Sequence, residues 1–121
     1  MQAKTARPAK PAGARRKLTR AERKQIEAVV HFAAFSLVGE SVTAPAKYFE
    51  NTVGANLSLV KVMREAACKY LIFSSTAATY GEPERVPILE DDKTIPTNCY
   101  GQTKLAMEHM MGWVSRAHGL R

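Results

Sequence analysis

The sequence contains little of what marks several common classes of protein. It has only two cysteines, Cys68 and Cys99, which are too few for a disulfide framework. It has no C-x-x-C or H-E-x-x-H spacing and its three histidines are scattered, so it predicts no metal site. No apolar run could span a bilayer, and no apolar stretch follows the first basic residues before Ile26. We therefore predict a cytoplasmic protein without a membrane segment.

Excess positive charge is also missing from most of the chain, although the net charge is +7. Residues 1–24 carry a net charge of +8, whereas residues 25–121 carry −1. The first segment is rich in Ala, Pro, Lys and Arg, so it cannot bury enough surface to offset its ordering entropy. We predict a disordered basic tail over residues 1–24, with a short helix from Thr19 as its one candidate element.

Three interpretations of this tail are open: a nucleic-acid-binding arm, a transit peptide, or a leader without a selected role. We favour the third, because no aromatic residue lies among the basic ones to stack on bases. Nucleic acid is therefore not an expected partner.

Strands and helices alternate in the rest of the chain. Residues 27–34 and 69–75 are short apolar runs typical of buried strands. After a linker containing Gly39, Ser41 and Thr43, Pro45 suits the first turn of a helix that ends near Ala67. The predicted apolar stripe of this helix is Phe49, Val53, Leu57, Val60, Met63 and Ala67.

A long loop over residues 76–98 and a second helix complete the predicted order. The helix runs from about Cys99 to His118, Gly119 marks its end, and its apolar face is Leu105, Met107, Met111 and Val114. Strand, helix, strand, loop and helix in this order predict an α/β fold with a parallel sheet. We expect residues 25–121 to form part of a doubly wound, Rossmann-like domain.

Candidate chemical groups lie where ligands of such sheets bind, beyond the carboxyl ends of the strands. The first strand ends in residues 31–36 and the second in residues 74–81, and both stretches are small or hydroxyl-bearing. Tyr100 and Lys104, four residues apart, share one face of the last helix. A phenol loses its proton only near pH 10, but a nearby ammonium stabilises the phenolate and allows it to act as a base. Tyrosine and lysine are also common on solvated helix faces, so the pair alone is weak evidence.

Four ordered strings add specificity: VVHFAAFSLVGESV at 29–42, KYFEN at 47–51, FSSTAATYGEPERVPILED at 73–91 and NCYGQTKLAMEH at 98–109. Together they resemble the UDP-glucose 4-epimerases, which are extended short-chain dehydrogenases/reductases of the NAD-dependent epimerase/dehydratase family. The resemblance covers nearly all of residues 27–119 and does not extend to residues 1–24.

The resemblance implies specific roles. Tyr100 would be the catalytic base and acid, Lys104 would stabilise its phenolate and hold the nicotinamide ribose, and Thr76 would hydrogen-bond the reacting oxygen. NAD would be the cofactor and UDP-glucose or UDP-galactose the substrate. The implied cofactor-binding residues are Phe32, Ala33, Ala34, Phe35, Ser36, Asn51, Ser74, Ser75, Tyr100 and Lys104.

Features of the family that the sequence lacks qualify these expectations. There is no G-x-x-G-x-x-G loop to hold a pyrophosphate, so we expect a truncated, inactive fragment of an enzyme whose family is usually homodimeric. A nucleotide-sugar dehydratase or reductase is the alternative enzyme, although Ala77 and Ala78 stand where dehydratases usually carry acidic residues. The alternative of another class is a non-catalytic protein with a nucleic-acid-binding tail.

Overall fold

The computed structural model describes residues 26–121. The predicted disordered tail over residues 1–24, including the candidate helix at Thr19, lies outside the described residues. Within them the order of strand, helices, strand, loop and helix agrees with the prediction from the sequence.

Two short parallel strands form the sheet. Strand β1 spans Ala28–His31 and strand β2 spans Tyr70–Phe73, and their register pairs Ala28 with Tyr70 and His31 with Phe73. The two strands therefore stop at the same level, and the Ser74 N–H continues the pairing by donating to the His31 carbonyl at 3.1 Å. Both strands are shorter than predicted, because residues 32–34 and 74–75 already belong to the irregular segments beyond the carboxyl ends.

The crossover from β1 to β2 is almost entirely helical. Helix α1 spans Val38–Thr43 and helix α2 spans Pro45–Phe49. A π-helical turn, Glu50–Gly54, leads without a break into helix α3, Ala55–Glu65. Pro45 begins α2 as predicted, since the first turn of a helix does not need its missing N–H.

The sequence prediction of a linker around Gly39, Ser41 and Thr43 was wrong, because these residues lie in α1. The hydroxyl groups of Ser41 and Thr43 form hydrogen bonds inside the helix instead of breaking it. Ser41 Oγ donates to the Val38 carbonyl at 2.6 Å, and Thr43 Oγ1 donates to the Glu40 carbonyl at 3.2 Å. Hydroxyl-bearing residues favour turns when their hydrogen bonds to the backbone compete with helix formation. Here these hydrogen bonds are compatible with the helix.

The predicted apolar stripe of the crossover helix was only partly correct. Val60 and Met63 are buried, but Phe49 and Leu57 are exposed. The buried positions one and two turns before Val60 belong to Asn56 and Thr52, which are polar. A search for apolar periodicity therefore selected the neighbouring residue at those turns, because it cannot detect a buried polar side chain.

The segment between β2 and the last helix is the predicted long loop, with one short 3₁₀ helix at Ala77–Thr79. Gly81 closes the base of this loop. Its φ of +65° is in the left-handed region, and a Cβ there would lie 1.9 Å from the Ile95 carbonyl oxygen. Only glycine permits this conformation together with so close an approach.

Helix α4 spans Cys99–His118, as the sequence predicted. Asn98 caps its start by accepting the Gly101 N–H at 2.8 Å, and Gly119 ends it with a left-handed φ of 67°. Of the predicted apolar face, Leu105 and Met107 are buried, while Met111 and Val114 are half-buried.

The main apolar cluster lies near the amino ends of the strands. Met63, Cys68 and Leu120 are its buried members, and Val29, Leu59, Ala66, Leu71 and Val114 pack against them. The opposite face of the sheet, which carries Val30 and Ile72, is exposed within the described residues. No helix of residues 26–121 has the length and apolar character needed to cross a membrane.

Candidate active site

Lys104 is a buried side chain at the carboxyl end of the sheet. It is 3% exposed, and its ammonium Nζ donates to the Ser74 carbonyl at 2.8 Å. Nζ also lies 4.7 Å from the centre of the Phe73 ring and 5.9 Å from that of the Tyr100 ring. Burial lowers the pKa of this ammonium from its ordinary value of 10.5. The end of β2 and the first turns of α4 thus hold one cation against two aromatic rings.

Tyr100 is fixed through its backbone as well as its helix. Its N–H donates to the hydroxyl oxygen of Ser41 at 3.1 Å. Ser41 is fully buried and donates in turn to a carbonyl of α1, so α1 is tied to the start of α4. No hydrogen bond joins the Tyr100 hydroxyl to another residue in the described range.

Thr76 lies at the start of the 3₁₀ helix, where it acts as the N-cap. Its Oγ1 accepts the Ala78 N–H at 3.2 Å, and its carbonyl accepts the Thr79 hydroxyl at 2.8 Å. The Oγ1 proton remains available for an acceptor such as a substrate oxygen.

A close backbone contact joins the Thr76 segment to the start of α4. A Cβ at Gly101 would lie 2.5 Å from the Ala78 carbonyl oxygen, so glycine is required for this approach. Because Ala78 is two residues from Thr76 and Gly101 follows Tyr100, the contact brings the two segments that carry these residues together. The 3₁₀ helix that begins after Thr76 is therefore packed against the first turn of α4, which carries Tyr100.

The predicted cofactor-binding segment, which follows the end of β1, is largely exposed to solvent. Phe32 is 72% exposed, Ala33 and Ser36 are exposed, and Ala34 is half-buried. The Phe35 N–H donates to Asn51 Oδ1 at 3.1 Å, which ties this segment to the π-helical turn of the crossover. Two further contacts hold the Phe35 ring: the Tyr48 ring at 5.9 Å and the Lys47 ammonium at 4.7 Å.

The two remaining predicted residues meet α4. The Ser74 carbonyl binds Lys104, and the Ser75 hydroxyl donates to the Glu108 carboxylate in a short hydrogen bond. Sequence reasoning gave Glu108 no role. Its only signal is the spacing of four residues after Lys104, which places both on one face of α4.

Three other contributors were missed or undervalued. Ser41 was placed in a linker, but its hydroxyl oxygen accepts the Tyr100 N–H. Gly101 and Phe73 were given no part, although one permits the approach of the Thr76 segment and the other contacts the Lys104 ammonium. A glycine one residue after Tyr100 was the available signal for the first.

Within residues 26–121, no three His, Cys, Asp or Glu side chains are grouped so that they could hold a metal ion. The structure instead brings the Tyr100 ring and the Lys104 ammonium together beyond the carboxyl end of a parallel sheet, with Thr76 in the segment that follows β2. This fold and this site define the class: a Rossmann-like protein with the tyrosine-lysine arrangement of the short-chain dehydrogenases/reductases.

Comparison with known proteins gives the same result. The model of the family described as GDP-mannose 4,6 dehydratase matches residues 15–121, so the chain belongs to this family. It is similar to UDP-glucose 4-epimerases: 56% identical over 98 residues to that of Streptomyces lividans and 57% over 96 residues to that of Halalkalibacterium halodurans. These matches cover 81% and 79% of this chain, but only 30% and 29% of the relatives.

Solved structures agree with the fold. The UDP-glucose 4-epimerase of Brucella ovis in complex with NAD matches with a TM-score of 0.78 at 45% identity. That of Bifidobacterium longum in complex with NAD⁺ and UDP matches with a TM-score of 0.75 at 39% identity. The matches cover 84% and 82% of this chain, and 33% and 32% of those chains. The Rossmann-like fold expected from the sequence is thereby confirmed.

Proposed function

We propose that residues 26–121 provide the catalytic centre of a UDP-glucose 4-epimerase, which interconverts UDP-galactose and UDP-glucose with NAD and acts in galactose metabolism. The observation that carries this proposal is the buried Lys104 ammonium, held beside the Tyr100 ring and against the end of β2. An ammonium buried without a carboxylate partner is costly, and a role in stabilising a neighbouring phenolate accounts for its retention.

The residues beyond β1 and β2 suit NAD. The exposed ring of Phe32 and the small side chain of Ala33 leave apolar surface for a flat group, and Asn51 fixes the backbone of this segment. On this basis the cofactor would be held by Phe32–Ser36, Asn51, Ser74, Ser75, Tyr100 and Lys104. When bound, NAD would accept a hydride from the sugar carbon and return it.

The chain's own groups would handle the proton and the oxygen. The Tyr100 phenolate would remove the proton of the sugar hydroxyl, and the phenol so formed would later return it. The Lys104 ammonium would stabilise the phenolate electrostatically, and its bond to the Ser74 carbonyl would hold it in place. The Thr76 hydroxyl would donate to the same oxygen, which orients the reacting bond.

A dehydratase is the second candidate, because the matching family model has that description and a dTDP-glucose 4,6-dehydratase from Streptomyces venezuelae shares the fold at 25% identity. The residues after Thr76 disfavour it. Ala77 and Ala78 form the 3₁₀ helix and offer no acidic side chain to remove a further proton. We therefore propose the epimerase as the function.

A chimaera tests the proposal. Residues 26–121 would replace the matching segment of the Streptomyces lividans epimerase, and conversion of UDP-galactose would be followed by product analysis. We expect UDP-glucose as the product. The substitution Tyr100→Phe in the chimaera should lower kcat by roughly 10² to 10⁴-fold, because the general base is lost.

The matched control is Tyr70→Phe, which removes a hydroxyl from an exposed strand residue and should leave kcat unchanged. A folded, NAD-bound chimaera that keeps its activity after Tyr100→Phe would contradict the proposed role of Tyr100. Release of a 4-keto-6-deoxy sugar would favour the dehydratase instead.

A further inference from the structure

A histidine that the proposed mechanism does not use lies close to Lys104. His31 is the last residue of β1, and its imidazole stacks on the Phe73 ring with 6.0 Å between centroids and 30° between planes. The Lys104 ammonium lies 4.7 Å from the centre of the same ring. The imidazole and the ammonium ion thus both contact one phenyl ring.

His31 and Lys104 are also connected through the backbone of Ser74. The Ser74 N–H donates to the His31 carbonyl at 3.1 Å, and the Ser74 carbonyl accepts from Lys104 Nζ at 2.8 Å. His31 therefore contacts both residues that contact the ammonium, Phe73 through its ring and Ser74 through its backbone.

The Nε2 atom of the imidazole is buried without a counter-charge among the described residues. This atom has no hydrogen-bond partner within residues 26–121, and the same holds for Asn56 Oδ1 on α3. Asn56 lies beside the imidazole and would favour its protonated form, but the geometry falls short of a hydrogen bond. Burial lowers the pKa of His31 below its ordinary value of 6.5, and the charge of Lys104 lowers it further.

Few other charges face this group. From α3 the neighbour is the uncharged Asn56, and from α4 it is Lys104. Glu108, one turn beyond Lys104, accepts a hydrogen bond from the Ser75 hydroxyl. No carboxylate within residues 26–121 forms an ion pair with Lys104.

We propose that His31 is a positioning residue for Lys104. An uncharged imidazole holds the Phe73 ring in the position where it contacts the ammonium, whereas a protonated imidazole displaces that ammonium. The physical reason is the repulsion between an imidazolium and an ammonium that contact the same ring, at a place where the ammonium is buried. Only the effect of His31 on catalysis rests on the proposed function. The contacts among His31, Phe73 and Lys104 are a property of the described residues and do not depend on it.

The test is an NMR titration of the full chain between pH 8 and pH 5. The ε-methylene protons of Lys104 should be displaced upfield at pH 8 by the Phe73 ring current. They should move towards the position of a solvent-exposed lysine over the pH range in which the His31 ring signals titrate. A Lys104 signal that stays constant while His31 titrates would overturn the proposal.

Two variants separate this effect from a general response to acid. His31→Phe keeps an aromatic ring for stacking but cannot gain a proton, so the upfield Lys104 signal should persist down to pH 5. The matched control is His118→Gln, which removes an exposed histidine from the last turn of the same helix and should titrate as the natural chain does. Equal titration of Lys104 in the natural chain and in His31→Phe would contradict the proposal.

The active chimaera supplies an independent measurement. Its kcat should fall at low pH, and His31→Phe should move that fall to lower pH with little change in KM. An inactive chimaera would count against the proposed function, whereas the NMR titration would still decide the role of His31.

Discussion

The two ends of the two-stranded sheet differ in what they bury. At the amino end the buried side chains are apolar, with Met63, Cys68 and Leu120 in one cluster. At the carboxyl end many of them are polar, and they include Lys104 and Asn56, whose Oδ1 has no partner within residues 26–121. Burying apolar surface stabilises a fold, whereas burying unpaired polar groups costs free energy. The chain is therefore stabilised at one end and tolerates a cost at the other, where the proposed chemistry lies.

The largest effect should come from removing apolar volume at the amino end. Met63 is 2% exposed, so Met63→Ala should lower the free energy of unfolding by about 2 to 5 kcal/mol, measured by urea denaturation. The control is Leu57→Ala on the same helix, which removes a side chain that is 53% exposed and should cost less than about 1 kcal/mol. Equal losses in the two variants would break the contrast between buried and exposed positions of α3.

A second effect should separate two glycines of α4. Gly101→Ala would place a Cβ 2.5 Å from the Ala78 carbonyl oxygen, so it should destabilise the chain by roughly 1 to 3 kcal/mol. It should also speed amide hydrogen exchange in residues 77–80, because the 3₁₀ helix loses its contact. Gly112→Ala meets only the tip of Arg116 at 4.0 Å and should instead stabilise the helix by about 0.5 to 1 kcal/mol. Stabilisation by both changes would show that the Gly101 contact does not hold the two segments together.

Acid should affect the carboxyl end more than the amino end. The folded state lowers the pKa of His31 below 6.5, so below that pH the unfolded chain binds more protons than the folded one. The free energy of unfolding should therefore decrease as the pH falls from about 6.5, and it should level off below the lowered pKa. The difference between the natural chain and His31→Phe in urea denaturation at pH 7.5 and pH 5 measures this contribution. A difference that does not change with pH would contradict it.

The smallest effect should be a gain in stability at the carboxyl end. Thr52 is fully buried and its Oγ1 has no partner among the described residues. Thr52→Val keeps the branched shape and removes the unsatisfied hydroxyl, so it should raise the free energy of unfolding by about 1 kcal/mol. The same substitution at Thr43, whose hydroxyl bonds the Glu40 carbonyl at 3.2 Å on the surface, should give no gain. A loss at Thr52 would mean that the hydroxyl is satisfied by water.

The amino end was the part of the fold most open to prediction from sequence. Periodic apolar residues located α4, and Gly119 marked its end, because the left-handed residue that ends a helix is usually glycine. The buried polar positions 52 and 56 were not predicted, since polar residues on a helix are normally assigned to solvent. Residues 38–43 were expected to be a linker and not α1, because glycine and hydroxyl-bearing residues favour turns.

The site was predicted from local spacing and resemblance, and the parts that depend on tertiary contact were not. Tyr100 and Lys104 could be paired from their spacing of four residues. The stack of His31 on Phe73 depends on the register of two strands 42 positions apart in the chain, and no local pattern reveals it. The roles of Thr76, Tyr100, Lys104 and the cofactor segment remain predictions that the proposed experiments test.

The closure at Gly81 and Ile95 separates the loop between β2 and α4 into two parts. The backbone enters and leaves the outer stretch, residues 82–94, at almost the same point. Insertions or deletions in that stretch would leave the spacing between the two anchoring segments unchanged. Residues 82–94 can thus vary in length and sequence while the positions of β2 and α4, which carry the proposed site, stay the same.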